Sequence, residues 1–226
     1  MKTLILLLSL LAALPISLTA ADTATPSREA IEWCDIWISH ANETNLPRVL
    51  LIGDSITRDY YPGVEKHLAG KAFVARLTTS RFLAEPAAEE IELVLEQMRF
   101  DVIHFNNGMH GWQHSELEYQ KAFPVVLETI KSHAPKARLI WAATTPIRDS
   151  KGVSVDAKLE CSNERIAARN AIAAAIVTAQ DIPTDDLNLA MRGHDEYHSD
   201  NVHFVSRGVQ VQAAQVAAAI EPLLPP

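Results

Sequence analysis

Apolar residues follow two alternating rhythms along this chain. Val49, Leu50, Leu51 and Ile52 run without interruption up to Gly53, the pattern of a strand buried on both faces of a parallel sheet. Similar runs predict strands over 72–77, 101–106 and 137–143. Between them the apolar positions spread to helical spacing. Ile91, Leu93, Val94, Leu95 and Met98 predict a helix over 85–98. A second helix is expected over 117–132, where Pro124 should kink it or mark a break. An Ala- and Ile-rich stretch predicts a third over 161–179, capped by Ser162 or an upstream polar residue. A short last strand is expected within 182–189 and a closing helix over 206–223. Near the start, Ser27 can cap a helix over 27–39, with Ile31, Cys34, Ile36, Trp37 and Ile38 on a mixed apolar face. Strands alternating with helices argue for an α/β protein, a three-layer α/β/α sandwich around a parallel sheet.

The first 20 residues follow a different plan. Met1-Lys2 gives a basic start, residues 3–14 are nearly all apolar, Pro15 breaks the run, and small residues stand at Thr19-Ala20-Ala21. This is the layout of a cleavable secretory signal peptide over 1–20, with an apolar stretch too short for a comfortable membrane span. One domain is then expected over 21–226, in a secreted or periplasmic protein with no membrane attachment after cleavage. The formal charge is −8, from 20 Lys and Arg against 28 Asp and Glu, with no basic run. That argues against nucleic acid as a partner and favours neutral substrates. An exported chain can join its two cysteines, Cys34 and Cys161; their separation in sequence leaves pairing to the geometry. Oligomeric state is not written in the pattern.

In open α/β sheets, sites form beyond the carboxyl ends of the strands. Three groups of chemically capable residues fall there. Gly53-Asp54-Ser55 directly follows the first strand and leads to a helix start at Ile56-Thr57. In that position Ser55 has a free backbone N–H at a helix N-terminus, Gly53 permits a tight turn, and Asp54 is suited to tying the turn down. Thr57 stands where the nucleophile elbow of α/β-hydrolases would need glycine. Asp200-Asn201-Val202-His203 lies just before the last helix, with Asp200 and His203 spaced to share one face of a helical turn. Phe105-Asn106-Asn107-Gly108-Met109-His110-Gly111-Trp112 follows the strand at 101–106. A serine hydroxyl becomes a nucleophile when a base takes its proton and a third group orients that base, so Ser55, His203 and Asp200 are the expected catalytic residues.

On these blocks the chain resembles the SGNH (GDSL-type) hydrolases. Gly53-Asp54-Ser55 matches their first block and Asp200-Asn201-Val202-His203-Phe204 their last, and the likeness extends over essentially the whole chain after the leader. The resemblance implies a flavodoxin-like sandwich and hydrolysis of acyl esters with no metal and no cofactor. The middle blocks depart from the family pattern. Its second-block glycine is missing from Leu77-Thr78-Thr79-Ser80-Arg81, where Ser80 or Arg81 would have to give the backbone donor. Its Gly-x-Asn-Asp block is replaced by the Asn-Asn-Gly version, which looks more like branches that process polysaccharide O-acetyl groups. The oxyanion donor is expected at Asn107, then Asn106, then His110. Trp112 is placed either to stack on a sugar ring or to pack against the following helix.

Together these features point to a secreted serine esterase that removes short acyl groups, acetyl above all, from a glycan or small-molecule ester. Two other readings compete. His194 and His198 are spaced for zinc on a helix, although Asp195 replaces the glutamate of the known motif and Gly193 favours a loop. A non-catalytic glycan-binding domain on the same scaffold would not need Ser55, Asp200 and His203 together.

Overall fold

The structure is a computed structural model that describes residues 28–81, 85–106, 108–148 and 161–226. The expected leader and Asn107 lie outside the described residues. Among the described residues six strands form one sheet in the order β1-β3-β2-β4-β5-β6. They are β1 (Cys34–Ile38), β2 (Arg48–Gly53), β3 (Phe73–Thr79), β4 (Val102–Phe105), β5 (Arg138–Ala142) and β6 (Thr184–Asp185). From β3 to β6 all pairings are parallel, and β1 alone runs antiparallel, against β3. The five parallel strands, taken without β1, have the flavodoxin-like order.

The α-helices of the described residues are α1 (Ser55–His67), α2 (Glu85–Gln97), α3 (Glu116–His133), α4 (Asn163–Thr178), α5 (Leu187–Met191) and α6 (Ser206–Ile220). Strand side chains alternate between faces, and two cores result. Val49, Leu51, Val74, Val102 and Ile140 pack with α1 and α6. Leu50, Ile52, Ala75, Leu77, Ile103, Phe105 and Trp141 pack with α2, α3 and α4. The central strand β2 is therefore apolar at every position from Val49 to Ile52, because it has a core on both sides. No helix among the described residues is long and apolar enough to cross a membrane.

One expectation is overturned and others are narrowed. The segment expected to be a helix over 27–39 holds β1 instead. Its aromatic and β-branched residues suit a strand, and it pairs with the outer edge of β3, from Cys34↔Thr79 to Ile38↔Ala75, which would otherwise stand open. Pro124 lies inside α3, which continues through it; a capping box between Ser115 and Glu118 starts that helix. The short strand expected within 182–189 is Thr184–Asp185, and just beyond it the Asp186 carboxylate caps Leu189 N–H at 2.9 Å and starts α5. Cys34 and Cys161 are both free, the first exposed and the second buried.

Candidate active site

At the carboxyl end of β2 the chain turns at once into α1. Gly53 is required there by close approach: a Cβ on it would lie 2.1 Å from Thr57 Oγ1 and 2.9 Å from Thr57 Cβ. Asp54 is buried and caps α1, accepting from Ile56 N–H at 2.9 Å through Oδ1. Its Oδ2 accepts from Met109 N–H, so the turn after β2 and the loop after β4 are tied through one carboxylate. Ser55 is the first residue of α1. Its N–H has no intrahelical acceptor, and the positive end of the helix dipole surrounds it.

Ser55 Oγ lies 2.9 Å from His203 Nε2 across 148 residues of sequence, and His203 Nδ1 lies 2.9 Å from Asp200 Oδ2. The fold thus brings a hydroxyl, an imidazole and a carboxylate into one hydrogen-bonded row. The Asp200 turn is an Asx turn and not a turn of helix: Oδ1 accepts from both Val202 N–H and His203 N–H at 2.7 Å. Ser199 N–H to His203 O at 2.9 Å and the bridge between His198 and Phe204 close the loop behind it. Arg148 N–H, donating to Asn201 O at 2.9 Å, anchors it to the segment after β5. Burial acts to raise the Asp200 carboxyl, but the N–H groups of His203 and Val202 and the His203 ring outweigh it, and its pKa is lowered. Asp200 is therefore held ionised, as a group orienting an imidazole must be. One turn along α1, Asp59 lies within electrostatic reach of His203; burial pushes its carboxyl up, against the charges of His203 and Arg58.

The loop after β4 is built differently from its sequence expectation. Asn106 is buried, and its amide donates to Ala142 O at 2.7 Å and to Thr144 Oγ1 at 3.2 Å while its Oδ1 accepts from Gly108 N–H at 2.6 Å. Both amide hydrogens are spent on holding the loop to β5, leaving none for a substrate oxygen. Gly108 takes φ +77°, the left-handed region that favours glycine, and packs against Asp54. Trp112 is buried, donates to Met109 O at 2.9 Å, and has the Arg169 guanidinium over its ring at 4.1 Å. Its face is covered, so it cannot stack on a sugar, and it packs against α4. Arg169, itself buried, donates to the carbonyls of His110, Gly111 and His114, which makes it a clamp on this loop. Burial, together with the nearby charge of Arg165, brings its pKa down to about 10. Asn163, at the start of α4, pairs with the backbone of Ile147.

His110 differs from Asn106. Its Nδ1 lies 2.9 Å from Glu29 Oε2, and Glu29 Oε1 accepts from Gly111 N–H at 2.9 Å. Nothing local in the sequence marks Glu29, which belongs to the segment before β1. The donors expected from the second block are also engaged: Ser80 N–H donates to Trp33 O at 3.1 Å, and Arg81 N–H to Thr79 Oγ1 at 3.1 Å.

His194 and His198 do not form the helical pair a zinc motif needs. A 3-10 turn covers Asp195–Tyr197. His194 pairs with Glu196 at 3.0 Å, and buried His198 points Nε2 at Pro146 O, 3.2 Å away. Among the described residues, the one grouping of three acidic or imidazole ligands is Glu92, Glu96 and His133, which includes neither of them.

No protein-family model matches the sequence, and no curated protein resembles it closely enough in sequence to count as a match. Solved structures do match. An aryl esterase of M. smegmatis shares 14% identity over 79% of this chain and 100% of its own, with a TM-score of 0.64. A carbohydrate acetylesterase family member from Sinorhizobium meliloti shares 17% identity over 78% of this chain and 98% of its own, with a TM-score of 0.62. A GDSL-like lipase from Bacteroides thetaiotaomicron shares 16% over 77% of this chain and 88% of its own, with a TM-score of 0.54. A flavodoxin-like sheet edged by an antiparallel first strand, with Ser55 opening the helix after β2 and His203 before the last helix, has the fold of the SGNH (GDSL-type) hydrolases.

Proposed function

We propose that this protein is a serine esterase that cleaves short-chain acyl esters, acetyl groups on carbohydrates above all, after export. The observation that carries the reading is the row Ser55–His203–Asp200, with 2.9 Å at each step, at the carboxyl edge of the sheet. In the reaction His203 Nε2 takes the Ser55 proton as Oγ attacks the ester carbonyl. Asp200 fixes the imidazole tautomer and stabilises the imidazolium. The Ser55 N–H donates to the tetrahedral oxyanion. His203 returns the proton to the leaving alcohol, and the acyl group stays on Oγ. Water, with its proton taken by His203, then releases the acid and restores the serine.

The carbohydrate part of the reading rests on a resemblance. The Asn-Asn-Gly block looks like that of O-acetyl-processing branches, and a structural neighbour bears the description carbohydrate acetylesterase. Export rests on the leader-like pattern of residues 1–20.

An organophosphonate serine probe tests the nucleophile: it should label Ser55 alone, and Ser55→Ala should lose both labelling and p-nitrophenyl acetate hydrolysis. Parent-rate hydrolysis by Ser55→Ala would refute the assignment. Acetate release from a panel of acetylated polysaccharides, set against p-nitrophenyl esters of increasing chain length, tests the substrate. Preference for long acyl chains would remove the acetyl-glycan reading.

A further inference from the structure

Resting on the serine-esterase reading, we propose that Glu29 is a positioning residue of the active site, holding His110 so that its Nε2–H donates to the oxyanion formed at Ser55. The first ground is what the other expected donors among the described residues are doing. The Asn106 amide and the N–H groups of Ser80 and Arg81 are all engaged. His110 Nε2 takes no hydrogen bond among the described residues, whereas Nδ1 is bound to Glu29.

The second ground is position. Met109, just before His110, is tethered by its N–H to Asp54, just before Ser55. On its other side the His110 ring meets Trp33 edge-on, with 6.1 Å between centroids. Trp33 carries the Arg58 guanidinium at 4.8 Å, and Arg58 lies in the first turn of α1 beside Ser55. The backbone of Trp33 is clasped to Ser80 by two bonds, Trp33 N–H to Ser80 Oγ at 3.0 Å and Ser80 N–H to Trp33 O at 3.1 Å. The ring is thus bracketed at the Ser55 end of α1, and the segment before β1 forms the wall that brackets it. Glu29 grips ring and backbone at once, through His110 Nδ1 and Gly111 N–H.

Charge supports the geometry. Burial acts to lower the His110 pKa, but the Glu29 bond and the charges of Asp54 and Glu29 outweigh it and raise it. Glu29 is itself held ionised, burial being outweighed by His110 and Gly111. The other charged groups around the ring are Arg58 across Trp33, Arg169 on the His110 carbonyl, and His114, which acts on Glu29. An imidazolium has an N–H on both nitrogens, one for Glu29 and one for a substrate oxygen. A donor aimed at developing negative charge is worth roughly 100- to 1000-fold in turnover.

The site then needs His203 neutral and His110 charged, so the profile of kcat against pH should be a bell. Glu29→Gln removes the charge that favours imidazolium. It should move the alkaline limb to lower pH, leave the acid limb in place, and lower kcat more than it changes KM. His110→Gln, whose amide donates at every pH, should lose the alkaline limb. An alkaline limb unmoved in Glu29→Gln, or retained in His110→Gln, overturns the proposal. In folded wild-type protein, the NMR titration of the His110 ring should shift upward once Ser55 is phosphonylated, because the phosphoryl oxygen stands where the oxyanion would; no shift overturns it as well. Ser55→Ala, assayed alongside, separates the two readings. Activity surviving in Ser55→Ala brings down the serine reading and this inference with it, whereas inactive Ser55→Ala with an unmoved limb in Glu29→Gln overturns this inference alone.

Discussion

Two carboxylate–imidazole pairs stand at the same edge of the sheet, and they are made alike. In each, one carboxylate oxygen meets Nδ1 of the ring at 2.9 Å and the other accepts a backbone N–H of the same loop, Val202 and His203 for Asp200, Gly111 for Glu29. They differ in how the chain brings them together. Asp200 and His203 are three residues apart, and an Asx turn suffices. Glu29 and His110 are 81 residues apart and meet because β1 pairs with β3 beside the β2–α1 turn. A third pair, His104 Nε2 with Asp185 Oδ2 at 3.0 Å, joins β4 to β6 across another 81 residues, deep in the core and with Gln215 on the remaining Asp185 oxygen. A local pair survives wherever its loop folds. A remote pair reports that the sheet has assembled.

This comparison can be broken experimentally. The largest effect is expected from the local pair. Asp200→Asn keeps the size of the side chain but frees the His203 tautomer, and kcat should fall by roughly 1000- to 10,000-fold with little change in Tm; kinetics with p-nitrophenyl acetate beside a melting curve checks this. The core pair should behave in the opposite way. Asp185→Ala strands a buried imidazole and the Gln215 amide, and should cost about 2–4 kcal/mol of stability while the folded enzyme keeps its kcat, as measured by urea unfolding and assay. Gly53→Ala should destabilise by about 1–3 kcal/mol through overpacking against Thr57, and Thr57→Ala should recover part of that loss in the double variant. The smallest effect concerns the Glu29–His110 contact. The raised His110 pKa means that its stabilisation is fully present below the unfolded value and lost as pH rises through the folded one. The Tm difference between the parent and Glu29→Gln should therefore shrink on the alkaline side. A constant difference would show that the contact is not charge-linked.

Strong patterns carry their structure openly. The unbroken apolar run at Val49–Ile52 is a two-sided central strand, and the helical spacing near Ile91 is α2. The sequence does not decide the element where periodicity is ambiguous. The apolar residues around Trp33 to Ile38 fit a helix face and a strand equally well over so short a span, and an edge of β3 needing a partner decided for the strand. The same limit applies in the site. Asp54 could be assigned to tying the turn from its place after Gly53. The fate of Asn106 could not be read in advance, because what consumes its amide is the carbonyl of Ala142, on the next strand. Trp112 was open between stacking and packing until α4 laid Arg169 over it.

By itself, the sequence determined the alternation of strand and helix, the polar ends of the strands where chemistry collects, and the local Asp200–His203 unit, since each depends on residues within one turn or one strand of each other. The tertiary structure alone decided that Ser55 meets His203, that the segment before β1 becomes a wall of the site, and that Glu29 grips His110. Those contacts join residues far apart in the chain, and hydrogen bonds of that kind exist only after burial of the two cores has offset the entropy of closing the long loops between them.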